Sequence, residues 1–267
     1  VAREGGKVLA QAEWEVAWTA DIFEYYAGMA RNYAGRVIPP ASAAGTSLVL
    51  KEPLGVVAAI LPWNYPLLLW AWKAAPALAA GNCMVAKPSP LTPLSLLQVQ
   101  ERLHLPQGVH SVVVGGDDIG ATLATHREVD AIAFTGTARA GKRVLQASVD
   151  SLKRIAALEL SGQDSMIVWD DVDLDTAVEA ACFAGFIHAG QVCTSTERLY
   201  VTDTIAHEFT TRLTRRAREL RVGDPLAPDT QVGPLMTAHQ RTRLLAYVTE
   251  AKARGAIVEA GGNAIGQ

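Results

Sequence analysis

The run Gly55-Val56-Val57-Ala58-Ala59-Ile60-Leu61, followed by Pro62-Trp63-Asn64-Tyr65-Pro66 and then Leu67-Leu68-Leu69-Trp70-Ala71-Trp72, decides the architecture. From Leu54 to Trp72 the chain is apolar enough to suggest a membrane span. Pro62, Pro66 and Asn64 argue against that, because a spanning helix would have to satisfy the broken backbone bonds inside lipid. A buried strand, a turn and a buried helix satisfy them more cheaply. The helix reads from Leu67 to Ala80, with Gly81-Asn82 as its C-cap, and Cys83 to Lys87 is the next strand.

Working outward, the same alternation continues. Helices are expected over Thr92–Arg102, Ile119–Thr125 and Ala138–Ser148, and strands over Val109–Val114, Ala131–Phe134 and Ile155–Leu160. Short strand–helix alternation predicts an α/β fold with a parallel sheet covered on both faces. On the N-terminal side, Glu13 to Tyr33 reads as one long helix, with Trp14, Ala17, Trp18, Asp21, Ile22 and Tyr25 at helical spacing. Residues 35–53, with Pro39, Pro40 and Gly45, read as an exposed hairpin or arm. A second set of elements starts after a boundary near residues 160–163: a strand Met166–Trp169, a helix capped by Asp173, a strand Arg198–Thr202 and a helix Ile205–Leu220.

Composition narrows the function. Hydrophobic residues make up 49% and charged residues 19%, enough for a sizeable core. The net charge of −3 argues against a nucleic-acid binder, and three cysteines fit a reducing, cytoplasmic setting rather than a disulfide scaffold. His104, His110, His126, His188, His207 and His239 lack metal-ligand spacing, and there is no C-x-x-C. No serine-hydrolase elbow is present. The arginines at 212, 215, 216, 218 and 221 are mixed with Glu208 and Glu219 and read as a solvated helix face. No charged-then-apolar leader is visible at Val1-Ala2-Arg3-Glu4, and both ends read as cut.

Several residues carry chemistry. Cys83 and Cys182 lie in apolar surroundings and read as core. Cys193 lies in a loop of small residues after Gly190-Gln191-Val192, so it is either an approachable nucleophile or an ordinary loop cysteine. Glu159, between Leu158 and Leu160, is either a desolvated general base or an edge-strand glutamate facing solvent; the residues alone favour the latter. Asn64 is an oxyanion donor or a turn asparagine ahead of Pro66. Lys87, at the end of its strand, is a nucleotide contact or a surface lysine. Two glycine turns, Gly115-Gly116-Asp117-Asp118-Ile119-Gly120 and Gly136-Thr137-Ala138-Arg139-Ala140-Gly141, each lead into a helix whose N–H groups could meet a phosphate.

Taken together, these segments resemble the aldehyde dehydrogenase superfamily. The matching runs are Leu61 to Pro66, Pro76 to Asn82, Lys87-Pro88-Ser89, Phe134 to Gly141, Leu158 to Gly162, Gly190 to Cys193, and Gly233-Pro234-Leu235, in family order. The resemblance implies a cofactor-binding domain over 1–160, N-terminally incomplete and carrying the arm 35–53, and a C-terminally truncated catalytic domain over 161–267. It implies Cys193 as nucleophile, Glu159 as general base and Asn64 as oxyanion-stabilising amide. It implies NAD or NADP as cofactor, with Leu61, Pro62, Trp63, Lys87, Ser89, Pro90, Gly116, Gly136, Thr137 and Gly141 around it. It further implies an aldehyde substrate, no metal, no nucleic-acid or membrane partner, and a homo-dimer or homo-tetramer.

Three departures qualify the match. Ser161 stands where the family has a second glycine after the base, and Gln163 stands where it has lysine. Pro90 replaces the glutamate with which many NAD-preferring members hold the ribose hydroxyls, which opens the site to NADP. Complete members extend further at both ends, so the chain alone is expected to turn over poorly. A CoA-acylating relative and a non-catalytic relative of the same fold are the alternatives; Glu159 argues against the first, and the presence of Cys193, Glu159 and Asn64 against the second. Around residues 15–21 and Cys193 the chain is similar to the lactaldehyde, glycolaldehyde and betaine aldehyde branches.

Overall fold

The computed structural model describes residues 1–41 and 45–265, so residues 42–44 of the expected arm lie outside the described residues. In chain order the elements are α1 (Ala2–Gly5), α2 (Leu9–Ala30), β1 (Arg36–Ile38), β2 (Ser47–Val49), β3 (Val56–Ile60), α3 (Pro66–Ala79), β4 (Cys83–Lys87), α4 (Leu94–Gln100), β5 (His110–Val112), α5 (Asp117–Thr125), β6 (Ala131–Gly136), α6 (Ala138–Asp150), β7 (Arg154–Leu160), β8 (Asp164–Val168), α7 (Leu174–Phe186), β9 (Thr196–Val201), α8 (Asp203–Arg218) and α9 (Ala238–Ala253). The chain forms two compact units, Val1 with Glu13–Leu160, and Ala2–Ala12 with Ser161 onward. This differs from a division at 1–160, because the first turn of chain packs with the later residues; Gly6, for example, lies against Pro234.

In the first unit a five-stranded parallel sheet has the order β5-β4-β3-β6-β7. Its central strands β3, β4 and β6 lack polar alternation because both faces are buried. Val57, Ala59, Ala131 and Ala133 face one core with Trp70, Ala74 and Leu96 of α3 and α4. Ala58, Ile60, Ile132 and Phe134 face the other, with Ala124 of α5 and Val144 of α6. The strand order reverses between β3 and β6. In open parallel sheets, ligands bind outside the carboxyl ends of the strands at such a switch point. β1 and β2 pair antiparallel, Arg36 opposite Val49, as the expected arm requires.

Buried polar groups fix the helices on this sheet. Tyr65 offers α3 no side-chain cap. The fully buried Glu15 of α2 takes that place, its Oε1 accepting from Leu67 N–H at 2.9 Å and Leu68 N–H at 3.3 Å. At the other end Ala80 is the C-cap and Gly81 follows at φ +81°, a left-handed position that suits glycine. Asn82 then accepts from Leu54 N–H at 2.6 Å and donates to Ala77 O at 3.0 Å, tying the helix end to the start of β3.

His110 is buried on β5. Trp70 Nε1–H donates to its Nε2 at 2.9 Å, so Nδ1 carries the proton and faces Gln100 Oε1. Burial pushes the imidazole down to about 4 from 6.5. Between those values the unfolded chain takes up a proton that the folded ring refuses. Stability is therefore complete above pH 6.5 and is lost as pH falls toward 4, by about 2 kcal/mol at pH 5. Urea unfolding at pH 7 and pH 5 is expected to show that loss, and His110→Gln is expected to remove it from the pH dependence. Equal slopes in both proteins would reject the assignment.

In the second unit β8 and β9 pair parallel, with α7 as the crossover. Val168, Ala177, Val178, Ala181 and Phe209 form its core. Asp173 caps α7 by accepting from Thr176 N–H at 2.8 Å, which holds its carboxyl below the usual range. The arginine run is not only a solvated face. Arg212 reaches Asp175 at 2.6 Å and Arg216 reaches Glu179 at 2.6 Å, both on α7, pinning α8 to that helix. Cys182 is buried as expected, and burial pushes its thiol up. Cys83 differs from the core expectation: at the start of β4 it is only half-buried.

Candidate active site

Because every strand of the five-stranded sheet runs the same way, their carboxyl ends share one edge. Leu61, Pro62, Trp63 and Asn64 follow β3 there; Lys87 ends β4, with Ser89 and Pro90 beyond it; Gly116 precedes α5; Gly136 ends β6 and Thr137 leads into α6. Trp63 O accepts from the fully buried Thr92 hydroxyl at 3.1 Å, which fixes the loop that carries Asn64. Thr137 caps α6, its hydroxyl accepting from Ala140 N–H at 3.2 Å. Gly116 caps α5 with no side chain, and Asp117 and Asp118 occupy the first turn of that helix, where their charge is favoured by the positive end of its dipole. Gly141 is needed for packing: a Cβ there would stand 2.4 Å from Leu160 Cδ2.

A pocket of about 140 Å³ opens between α5 and α6. Ala121, Ala124, Phe134 and Val144 make its walls apolar, and Lys87, Gly116 and Asp117 make one end polar. Lys87 is not a surface lysine. It is 5% exposed, and desolvation lowers its amine's pKa while Asp117 and Asp118 act in the opposite sense. A buried amine beside an apolar slot suits the ribose hydroxyls and the base of a nucleotide, while the Asp117 and Asp118 carboxylates in the first turn of α5 disfavour a phosphate there.

Glu159 lies on the edge strand β7, opposite Thr135 of β6. Its carboxylate does not simply face solvent. Thr135 Oγ1 donates to Glu159 Oε2 at 2.9 Å, and Lys73 Nζ donates to Thr135 Oγ1 at 2.6 Å while standing 3.6 Å from the same carboxylate oxygen. The Lys73 side chain is 2% exposed and that of Glu159 42%, so one end of the chain of groups is dry and the other meets water. Neither Lys73 nor Thr135 was singled out from the sequence. The available signal was Lys73 as the sole charge in Pro66–Ala79.

Cys193 belongs to the second unit. It is half-buried in the loop between the turn Ile187–Gly190 and β9, two residues before the buried Ser195. Ser195 N–H donates to Val192 O at 3.2 Å and its hydroxyl donates to Glu197 Oε1 at 2.8 Å, closing the loop on its far side. Gln163, at the departure noted above, accepts from Arg198 of β9. Among the described residues no group of three or more His, Cys, Asp or Glu side chains is placed to hold a metal ion, and no helix is long and apolar enough to cross a membrane.

The model of the aldehyde dehydrogenase family matches residues 1–267. The chain belongs to the aldehyde dehydrogenase family. Within that family it is 41% identical over 261 residues to betaine aldehyde dehydrogenase of Bacillus subtilis (strain 168), covering 96% of this chain and 53% of the relative. It is 40% identical over 265 residues to the peroxisomal aminoaldehyde dehydrogenase 2 of Pisum sativum, covering 97% and 52%. Among solved structures, betaine aldehyde dehydrogenase of Staphylococcus aureus in complex with NAD+ matches with a TM-score of 0.95 at 34% identity, over 100% of this chain and 53% of that one. PnpE in complex with nicotinamide adenine dinucleotide matches with a TM-score of 0.96 at 41% identity, over 100% and 55%. This aldehyde dehydrogenase chain thus spans about half the length of the relatives it matches.

Proposed function

We propose that this chain carries the catalytic residues of an NAD(P)-dependent aldehyde dehydrogenase that oxidises an aldehyde to a carboxylic acid through a thiohemiacetal and a thioester on Cys193. One observation carries the reading: the carboxyl edge of the parallel sheet holds both an apolar-walled slot with the buried Lys87 and a water-accessible carboxylate, Glu159. The residues there fit a dinucleotide. Lys87 and Ser89 would meet the adenosine ribose, and Leu61, Pro62, Trp63, Gly116, Gly136 and Thr137 the rest, while Gly141 packs against Leu160 and does not face the slot. Bound there, the dinucleotide supplies a hydride acceptor.

The chain's own groups do the remaining work. The Cys193 thiolate forms a bond to the aldehyde carbon, and the carbonyl oxygen takes the electron pair. The Asn64 amide and the Cys193 backbone N–H donate to that oxyanion. After oxidation the acyl group rests on Cys193 as a thioester. Glu159 takes a proton from water, whose oxygen attacks the thioester, and the thiolate leaves as the acid forms. Glu159 disfavours the CoA-acylating alternative, because transfer to CoA needs no activated water. The gene product carrying this chain, assayed against an aldehyde panel with NAD and NADP, is expected to release free acid and reduced dinucleotide. An acyl-CoA product, or no oxidation of any aldehyde, would reject the proposal.

A cationic aldehyde is the substrate class we favour. The relatives named above act, by name, on betaine aldehyde and aminoaldehydes. Helix α2 carries exposed Glu13, Asp21 and Glu24 and no basic residue. Its Trp14 and Trp18 rings stand 4.5 Å apart, and Trp72 of α3 meets Trp18 edge-on at 6.1 Å. Indole faces attract ammonium groups. We also assign the arm β1–β2, with Val37 and Leu48 exposed, to assembly with further copies. Three cysteines with no disulfide among the described residues suit a reducing compartment such as the cytoplasm.

Pro90 is exposed beside the buried Ser89. Pro90→Glu is expected to give the ribose hydroxyls a charged acceptor and to repel a 2′-phosphate. The NAD:NADP ratio of kcat/KM should rise by about tenfold or more, the size of one charge-assisted hydrogen bond. An unchanged ratio would show that residue 90 does not face the ribose.

A further inference from the structure

The turn before Cys193 is held in an unfavourable conformation. His188 (φ 50°, ψ 37°) and Ala189 (φ 57°, ψ 33°) are consecutive left-handed residues, and neither is glycine. For L-residues this geometry crowds Cβ against the carbonyl, and it persists only where surrounding structure over-determines it. The Gln191 side chain supplies that restraint. Its Nε2 donates to His188 O at 3.0 Å and lies 3.4 Å from Pro234 O, and its Oε1 accepts from Met236 N–H at 2.8 Å. One amide thus closes the strained turn on itself and ties it to residues 234–236, a distant part of the chain. His188 N–H is anchored separately by Gln11 Oε1 at 3.1 Å. Gln191 stands two residues from Cys193, so whatever fixes its backbone also fixes the start of the loop that presents the sulfur.

We propose that Gln191 is a positioning residue for Cys193, holding the strained turn His188–Ala189 so that the nucleophile's loop keeps a single conformation. This rests on Cys193 being the nucleophile. In this role Gln191 acts through the loop backbone and supplies no reacting atom. Removing it lets residues 188 and 189 relax toward ordinary backbone angles, and the loop through Ser195 then samples alternatives in which attack is misaimed. Reaction rates fall steeply with such misplacement.

The test uses hydrogen exchange and steady-state kinetics on the gene product carrying this chain, with Gln191→Ala and Gln191→Glu. In Gln191→Ala, amides 187–195 are expected to exchange at least about tenfold faster, while those of β8, α7 and α8 keep their rates. Turnover should fall at least about tenfold, with KM for the dinucleotide within about twofold. Gln191→Glu keeps the acceptor for Met236 N–H but loses the donors, so it should recover part of both effects and serves if the alanine variant folds poorly. Unchanged exchange at 187–195, or acceleration spread evenly over the unit, overturns the proposal. Turnover that survives in Cys193→Ala removes the nucleophile reading and this proposal with it. Unchanged exchange alongside an inactive Cys193→Ala removes this proposal alone.

Discussion

Cys193→Ala is expected to lower turnover by at least about a thousandfold, because no other group can form the covalent adduct that divides the reaction into oxidation and hydrolysis. Dinucleotide binding should survive, since the pocket between α5 and α6 is lined by Lys87, Gly116, Phe134 and Val144 and not by Cys193. The other two thiols provide the comparison. Cys182 is 2% exposed and packs in the second unit, so Cys182→Ala should cost on the order of 1 kcal/mol of stability without touching chemistry. Cys83, only half-buried, should cost less. Dinucleotide titration, urea unfolding and turnover on the three variants separate these cases. Equal loss of turnover in all three would indicate folding damage and remove the assignment.

Glu159→Gln is expected to slow thioester hydrolysis by about a hundredfold or more while leaving the oxidation step nearly intact. The amide can still accept from Thr135 Oγ1, so the strand pairing and the local shape survive. It cannot take a proton from water. In rapid mixing, a burst of reduced dinucleotide equal to the enzyme present should be followed by a slow steady state. Loss of the burst along with turnover would mean that Glu159 acts before the thioester forms, for example on the thiol. The burst also separates this variant from Cys193→Ala, which should show none.

What could be read in advance follows from how local each signal is. Strand β4 falls on Cys83–Lys87 as expected, and β3 within one residue at each end, because an apolar run between turn residues specifies a strand buried on both faces. The Asp173 cap was legible because a cap is made by residues three apart. Helix α2 begins at Leu9 rather than Glu13, since Leu9-Ala10-Gln11-Ala12 are good helix formers with no start signal. It ends by Ala30, where Asn32 Nδ2 donates to Gly28 O at 2.8 Å in place of a further turn. Helix α9 gave no apolar stripe to read, and none of its residues is buried.

Sequence alone determined the strand–helix alternation from β3 to β7 and the parallel sheet, and it marked Cys193, Glu159, Asn64 and Lys87 as candidates for chemistry. All of these are carried by short runs in which the neighbours along the chain are the cause. The tertiary structure alone decided what surrounds them. It buried Lys87, and it turned Glu159 back toward Thr135 and Lys73. It set Glu15 as the cap of a helix 52 residues away in the chain, and it closed Gln191 on Pro234 and Met236. Those partners are far apart in sequence and meet only when the sheet's order and the helix faces are fixed. A lone lysine or glutamine in the chain carries no sign of which distant backbone group its polar atoms must satisfy once water has been excluded.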